Sequence, residues 1–178
     1  GYRPKRSCHQ AITKAQLFMR RYDMKHVVDM DLSKCFDTLD HNLIINCFRK
    51  RVSDGSILRL IEHFLKSGVM NKEEFEPSEL GSPQGGVISP LIANVYLNEF
   101  DQEMRRRGHR IVRYADDILV FCHSRSAAEN ALIKATEILE VDLKLTVNKE
   151  KTHLAHSSSG IKFLGVKIFG WCTQIQPK

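Results

Sequence analysis

Short apolar runs interrupted by polar residues recur along the chain, and this pattern predicts strands. The strongest example covers residues 110–123, where apolar runs at 111–112 and 118–121 flank the tetrapeptide YADD. The β-branched and aromatic content of these runs predicts a hairpin or bent strand whose turn carries Asp116 and Asp117. An Asp-Asp pair is also common in turns for conformational reasons alone, so the pair gains meaning only from what lies upstream.

The upstream segment HVVDMDLSKCFD alternates between apolar and acidic residues. In an extended chain, successive side chains point to opposite faces. Val28, Met30 and Leu32 are therefore expected to face a core, while Asp29 and Asp31 share the opposite face. The pattern predicts a second strand with an acidic face.

Apolar positions spaced three and four residues apart predict helices after polar capping residues. The predicted caps are Ser7, Asp40, Ser56, Ser89 followed by Pro90, and Ser126 in a capping box with Glu129. Their apolar positions are expected to face inward, including Ile57, Leu60 and Phe64 after Ser56 and Leu91 after Ser89. Further strands are expected at 143–147 and 161–168, and a solvent-facing hairpin at 69–80. Strands interspersed with helices predict one compact α+β unit.

The composition excludes several classes of protein. A chain of 178 residues is long enough for one domain with a sizeable core. No apolar run approaches the roughly 20 residues that span a bilayer, so a cytoplasmic protein is expected. The cysteines are odd in number and scattered, which argues against a disulfide framework and against structural zinc.

The net charge of +6 is concentrated at one end of the chain. Residues 1–26 contain seven lysines and arginines against Asp23 alone, whereas the rest is balanced. Arg3, Lys5 and Arg6 lie next to a predicted helix start, where free N–H groups favour anions. This end is therefore expected to contact phosphate, either of a nucleic acid or of a nucleoside triphosphate.

The two acidic stretches suggest one site. Asp31, Asp116 and Asp117 have no obvious basic partner in the sequence, so converging carboxylates would need a cation. Carboxylate oxygens suit Mg²⁺, which completes its shell with water and substrate phosphates. Two such ions about 3.5–4 Å apart can clamp the attacking and leaving oxygens of an in-line phosphoryl displacement. The residues therefore predict nucleotidyl transfer with two Mg²⁺ ions.

Five sequence blocks occur in the order of the fingers and palm motifs of reverse transcriptases. They are VVDMDLSKCFDTLDH, GSPQGGVISPLIANVYLNEFD, YADD, LTVNKEKTH and GIKFLGVKI. The opening GYRPKRSCHQAI resembles a further block of the family. The chain is most similar to the proteins encoded by bacterial group II introns, also called maturases, and the resemblance covers nearly its whole length.

The resemblance implies a right-hand polymerase palm, an α+β fold with an antiparallel sheet backed by helices, plus a partial fingers region. Residues 1–178 are expected to form a single fingers-palm domain. The family's N-terminal fingers extension and C-terminal thumb would lie outside this fragment, so weak or no processive activity is expected of it alone. Lys5 and Asp29 depart from the Gly and Glu that the family often has.

The resemblance also implies roles for residues of the expected site. The metal ligands would be Asp31, Asp116, Asp117 and the backbone carbonyl of Leu32. Lys151 matches a lysine suggested to protonate the pyrophosphate leaving group, although its spacing fits a solvated lysine equally well.

The expected nucleotide contacts come from three places in the sequence. Phe36 is a candidate selector of deoxynucleotides, with a core phenylalanine as the alternative. Gln84, in the Pro-Gln-Gly block, would lie under the templating base and incoming nucleotide. Arg3, Lys5 or Arg6 would hold the triphosphate, and residues 161–168 would grip the primer end.

The function implied is that of a bacterial, cytoplasmic RNA-directed DNA polymerase with a role in intron splicing. Its partners would be an RNA template or intron RNA, a DNA or RNA primer and a dNTP. The fragment is also expected to expose apolar surface and self-associate, as in a homodimer. Two alternatives remain: a non-enzymatic RNA-binding splicing cofactor, and a reverse transcriptase of a retron, CRISPR-associated or diversity-generating system.

Overall fold

The computed structural model describes residues 1–66, 69–71, 74–76 and 88–175, with the two short middle segments described as backbone only. The helices are α1 (Cys8–Arg21), α2 (His41–Arg49), α3 (Gly55–Lys66), α4 (Ser89–Arg106) and α5 (Arg125–Glu137). Shorter helical turns occupy Cys35–Asp37, Ile138–Asp142 and Ser157–Ser159. The strands are β1 (His26–Met30), β2 (Leu32–Ser33), β3 (Val69–Asn71), β4 (Glu74–Glu76), β5 (Arg110–Tyr114), β6 (Asp117–Cys122), β7 (Thr146–Val147), β8 (His153–His156), β9 (Ile161–Phe163), β10 (Val166–Ile168) and β11 (Thr173–Ile175).

The central sheet has four antiparallel strands in the order β5-β6-β1-β8. The register of β1 against β6 places Met30 opposite Ile118. On its other side, β1 pairs with β8, and Asp29 lies opposite His153. The hairpin predicted at residues 110–123 is present and lies directly beside the acidic strand.

Side chains that alternate along the central strands enter two hydrophobic cores. The first core lies between the sheet and helices α2 to α5, and its strand residues are Val28, Met30, Ile111, Ile118, Val120 and Cys122. The second core lies between the sheet, α1 and the β9–β10 hairpin, and its sheet residues are Val27, Val112, Leu119 and Phe121. The face expected to be acidic therefore buries Val27 near the start of β1 and carries carboxylates only towards the strand's end.

The predicted caps of α1 and α2 are confirmed. The Ser7 hydroxyl accepts a hydrogen bond from the Gln10 backbone N–H, and the Gln10 side chain accepts one from the Ser7 N–H. Asp40 Oδ1 accepts a bond from the Leu43 N–H at 2.9 Å. Both side chains satisfy N–H groups that the first helical turn leaves free.

The capping residues predicted for α3 and α5 were each two positions too late in the sequence. Asp54 Oδ1 accepts a bond from the Ser56 N–H at 2.7 Å, so α3 begins at Gly55. Ser124, not Ser126, caps α5 by accepting from the Ala127 N–H. In each case an equally suitable polar residue precedes the predicted one, and the apolar spacing does not distinguish between them.

The cap predicted at Ser89 was one position too late, because Ser89 lies within the first turn of α4 and Ile88 occupies the cap position. Pro90 follows in the first turn as predicted, since the missing proline N–H has no helical partner there. The strand predicted at 143–147 shortens to β7, because the preceding helical turn continues to Asp142 and Lys144 has a φ of 51°.

Several apolar residues predicted to face inward are exposed. In α3, Ile57, Leu60 and Phe64 are about half exposed, and Ile61 and Leu65 supply its buried positions. In α4, Leu91 is 54% exposed. Strands β3 and β4 pair in antiparallel fashion within the range predicted as a hairpin, and the rest of that range lies outside the described residues. None of the helices described could cross a membrane.

Candidate active site

The YADD turn joins β5 to β6 through two residues, Ala115 and Asp116. Tyr114 pairs with Asp117 at the base of this turn. Ala115 has a φ of 56°, a left-handed conformation that costs a non-glycine residue about 1 kcal/mol or more. The turn therefore projects Asp116 and begins β6 with Asp117, each of them half-buried.

Asp31 lies at the end of β1, next to this turn. Continuing the register of Met30 and Ile118 by one residue brings Asp31 opposite Asp117. The Asp31 carbonyl accepts a bond from the Asn148 N–H at 2.9 Å. These backbone relations bring the acidic ends of two adjacent strands together, as the sequence predicted.

The Asp31 carboxylate has two partners from the segment after β7. Lys151 Nζ lies 3.3 Å from Asp31 Oδ2, and the Asn148 amide donates to the same oxygen at 3.2 Å. The expectation that the aspartates have no basic partner was therefore wrong. The lysine is distant in sequence, and the pairing arises only because β2 and β7 bring the two segments together.

Burial, together with repulsion between neighbouring carboxylates, raises the pKa of two carboxyl groups in the site. The pKa of Asp117 is raised, first by burial and then by the charges of Asp116 and Asp31, with Lys151 acting in the opposite direction. The pKa of Asp29 is raised to about 6, mainly by burial and further by Asp117 and Asp31. The folded protein therefore concentrates negative charge at this point at a cost to its own stability.

Asp29 was not among the metal ligands expected from the sequence, and the structure places it within the acidic group. Its carboxylate faces His153 Nε2 at 3.9 Å across the β1–β8 pair. The only signal in the sequence was its two-residue spacing from Asp31, which places both on one face of a strand. His153 could not have been assigned to it without the sheet register.

In the described residues, the carboxylates are not arranged as a preformed metal-binding site. Within the described ranges, no group of three or more His, Cys, Asp or Glu side chains is gathered closely enough to hold an ion. The donor set nevertheless fits a divalent cation, because the charges of Asp116 and Asp31 add to the raised pKa of Asp117 and a cation bound by these hard oxygens would offset that repulsion. Leu32 buries its side chain in the first core, so only its backbone is available to a ligand.

The remaining predicted contacts are spread around this centre. Phe36 lies half-buried in the short helical turn Cys35–Asp37 and packs against the first core. Arg3, Lys5 and Arg6 are exposed before α1, and Arg3 lines a cleft of about 700 Å³ that also reaches Arg113. Gln84 lies outside the described residues.

Lys5, which the sequence analysis marked as a departure from glycine, lies in a backbone turn. Its φ is 58°, in the region that glycine adopts without strain. The Arg6 N–H donates to the Arg3 carbonyl at 3.2 Å and closes the turn. The lysine side chain is therefore displayed on an exposed turn before α1.

The substitution Asp29→Asn is expected to stabilise the metal-free protein at neutral pH. Asp29 has a folded pKa of about 6 against 3.8 for an ordinary aspartate, so the folded state binds its proton more tightly. The stability linked to this proton is complete below about pH 3.8 and is lost as the pH rises through about 6. Urea unfolding should show Asp29→Asn more stable than the wild type by on the order of 2 kcal/mol at pH 7, with the gap closing towards pH 4. A gap that stays constant over this range would contradict the assignment, and the exposed Asp142→Asn is the control.

An antiparallel sheet with carboxylates at the ends of adjacent strands, backed by helices, defines the palm of a template-directed polymerase. Residues 1–168 match the family model described as reverse transcriptase (RNA-dependent DNA polymerase). The chain belongs to this family, whose members generally use divalent metal ions.

Similar proteins confirm the resemblance to group II intron reverse transcriptases. Protein YkfC of Escherichia coli is 32% identical, with the match covering 94% of this chain and 54% of that protein. Group II intron-encoded protein LtrA of Lactococcus lactis subsp. cremoris is 26% identical over 94% of this chain and 38% of its own length. The chain thus spans about half or less of these relatives.

A solved structure confirms the α+β polymerase fold. Apo telomerase from Candida tropicalis, truncated from its C-terminal domain, superposes with a TM-score of 0.70. The identity is 15%, and the match covers 94% of this chain and 39% of the telomerase. At this identity the likeness concerns the fold alone, and it supports the predicted palm with its antiparallel sheet.

Proposed function

We propose that the protein to which this chain belongs is an RNA-directed DNA polymerase of a group II intron. It would add a deoxynucleotide from a dNTP to a primer 3′-hydroxyl on an RNA template. The observation that carries this proposal is the meeting of Asp31 with Asp116 and Asp117 at the ends of adjacent strands, within a chain of the reverse transcriptase family.

In this proposal the three aspartates and the Leu32 carbonyl hold two Mg²⁺ ions. When bound, the ions would neutralise charge on the attacking and leaving oxygens of the phosphoryl transfer. The protein contributes a rigid frame, because Asp31 and Asp117 extend from paired strands and Asn148 holds the Asp31 backbone. The raised pKa of Asp117 supports this use, since a site strained by like charges favours cations.

Lys151 would act on the departing pyrophosphate as a general acid. Its side chain is 68% exposed and its ammonium lies 3.3 Å from Asp31 Oδ2, so it lies at the edge of the acidic group and is open to a ligand. A lysine in this position can release a proton to the leaving group.

The substitution Lys151→Arg should distinguish a general acid from a lysine that only balances the charge of Asp31. Arginine keeps the positive charge but does not give up its proton, so the rate of nucleotide incorporation in single turnover should fall by at least about 10-fold. The rate profile against pH should change shape at its alkaline end. Lys149→Arg, an exposed lysine two residues away, is the matched control. An unchanged rate and pH profile in Lys151→Arg would leave Lys151 as a charge partner of Asp31 only.

The basic segment before α1 would contact the triphosphate. Arg3, Lys5 and Arg6 are exposed, and the turn they form is closed by a backbone hydrogen bond. Phe36 would pack against the deoxyribose, and Gln84 would contact the nucleotide from the Pro-Gln-Gly block.

The proposal includes an intron RNA-binding role that assists splicing. The relatives named as group II intron-encoded proteins and the net charge of +6 support contact with RNA. A pure RNA-binding cofactor would have no use for three neighbouring carboxylates, because they repel phosphate.

Primer extension by the full-length parent tests the proposal. The parent is incubated with an RNA template, an annealed DNA primer, dNTPs and Mg²⁺, and splicing of its own intron RNA is measured in parallel. Extension together with stimulated splicing is the expected result. A folded parent that binds RNA and stimulates splicing without extension would be a splicing cofactor, and extension without any effect on splicing would favour another type of retroelement.

A further inference from the structure

A buried hydrogen-bonded network lies directly behind the YADD turn and has no role in the mechanism above. At its centre are Arg113 of β5 and Asp101 of α4, whose side chains are only 9% and 11% exposed. Arg113 Nε donates to Asp101 Oδ1 and Nη2 donates to Oδ2, each at 2.8 Å. Asp101 is the one buried carboxylate-bearing residue in the described parts of the chain. This two-point contact fixes the plane of the guanidinium.

The other terminal nitrogen of Arg113 reaches the catalytic turn. Nη1 donates to the Ala115 carbonyl at 2.8 Å and to Asn94 Oδ1 at 3.3 Å. Ala115 is the residue whose φ of 56° is unfavourable for a side chain, and it immediately precedes Asp116. The hydrogen bond therefore holds the carbonyl of a strained peptide in the orientation that the turn requires.

The same network connects the turn to the basic segment before α1. The Asn94 amide donates to the Gly1 carbonyl at 2.9 Å, while its oxygen accepts from Arg113. Gly1 is two residues before Arg3, one of the proposed triphosphate contacts. Arg113 and Asn94 thus link the aspartate-bearing turn to the start of the phosphate-contacting segment through two successive side-chain bonds.

We propose that Arg113 is the positioning residue of the catalytic turn. Held by its two-point contact with Asp101, it orders the Ala115 peptide and thereby fixes the positions of Asp116 and Asp117. The inference rests on the proposed polymerase function and adds a residue that acts through the turn without touching substrate. Only arginine suits this task, because its planar fork can satisfy both Asp101 oxygens with two nitrogens and still present a third to Ala115. A lysine would retain the charge for Asp101, but its three donors share one nitrogen and cannot reproduce the contacts of the planar fork.

The test is Arg113→Lys in the full-length parent, measured in two ways. Steady-state primer extension should show kcat lowered about 10-fold or more with the KM for dNTP changed less than about 3-fold, because the carboxylates are displaced while nucleotide contacts remain. Hydrogen exchange of the metal-free protein should be about 10-fold faster at residues 115–117 and unchanged at residues 119–121. Arg110→Lys is the matched control, since Arg110 is an exposed arginine of the same strand, and it should alter neither measurement.

The outcomes separate this inference from the proposed function. Unchanged exchange at the turn in Arg113→Lys overturns the positioning role, whatever happens to kcat, and faster exchange with unchanged kcat overturns it as well. A wild-type parent without primer extension refutes the polymerase function, while the exchange comparison still decides whether Arg113 orders the turn. If Arg113→Lys does not fold, Asp101→Asn weakens the anchor of Arg113 without changing the size of the side chain. Faster exchange at residues 115–117 with lowered kcat then supports the inference, and unchanged exchange or unchanged kcat overturns it.

Discussion

Asp117→Asn is expected to abolish primer extension by the full-length parent while making the metal-free protein more stable. The carboxylate is a proposed metal ligand at the reacting centre, and an amide in its place should lower the rate by about 10³-fold or more. The stability should rise because the pKa of Asp117 is raised by burial and by Asp116 and Asp31, so the charge opposes folding at neutral pH. The measurements are single-nucleotide extension with Mg²⁺ and urea unfolding without metal.

Primer extension and urea unfolding together distinguish a functional carboxylate from a misfolded variant. Loss of activity through misfolding would be accompanied by lower stability, so lost extension with higher stability identifies a functional carboxylate. Asp116→Asn should also abolish extension, and the exposed Asp142→Asn should leave it intact. Extension at more than about a tenth of the wild-type rate by Asp117→Asn would contradict its place as a metal ligand.

Phe36→Val is expected to let the polymerase accept ribonucleotides. Phe36 is held in a short helical turn that follows Asp31 and Leu32, and its ring packs against the first core. A ring fixed beside the sugar would clash with a 2′-hydroxyl, so truncation should lower the preference for dNTP over rNTP by about 10²-fold. The measurement is the ratio of kcat/KM for a matched dNTP and rNTP.

Phe48→Val is the control for Phe36, because Phe48 is also half-buried against the first core but lies on α2. Both truncations remove apolar contact and should lower the free energy of unfolding by about 1–3 kcal/mol. Only Phe36→Val should change sugar discrimination. Equal losses of stability with unchanged discrimination in both variants would make Phe36 a core residue and nothing more.

The stability effects and the catalytic proposals have a common origin. Folding gathers Asp29, Asp31, Asp116 and Asp117 at one end of the sheet and partly buries them. The raised pKa values of Asp29 and Asp117 reflect first this burial and then the repulsion between the carboxylates. Extensive burial on both faces of the sheet supplies the free energy that offsets this repulsion. Sites of this kind are expected to be less stable than their neutralised variants, because function requires a charge that folding disfavours.

Local sequence patterns predicted the main elements well. The strand alternation at β1 and the apolar runs of the β5–β6 hairpin both depend on the two-residue period of an extended chain, which is visible in the sequence. The caps at Ser7 and Asp40 were predicted because capping is also local: each side chain bonds to an N–H group three residues away. The caps of α3 and α5 were missed because Asp54 and Ser124 are equally suitable capping residues that precede the predicted ones by two positions.

The sequence by itself therefore determined the acidic strand, the YADD hairpin, the order of the motifs and the family to which they belong. Only the tertiary structure paired Lys151 with Asp31, His153 with Asp29, and Arg113 with both Asp101 and Ala115. These contacts join separate elements, except for the Arg113–Ala115 bond, which depends on the conformation of the turn itself. Their partners are selected by strand register, by helix packing and by backbone conformation, none of which is encoded in the spacing of residues along one segment.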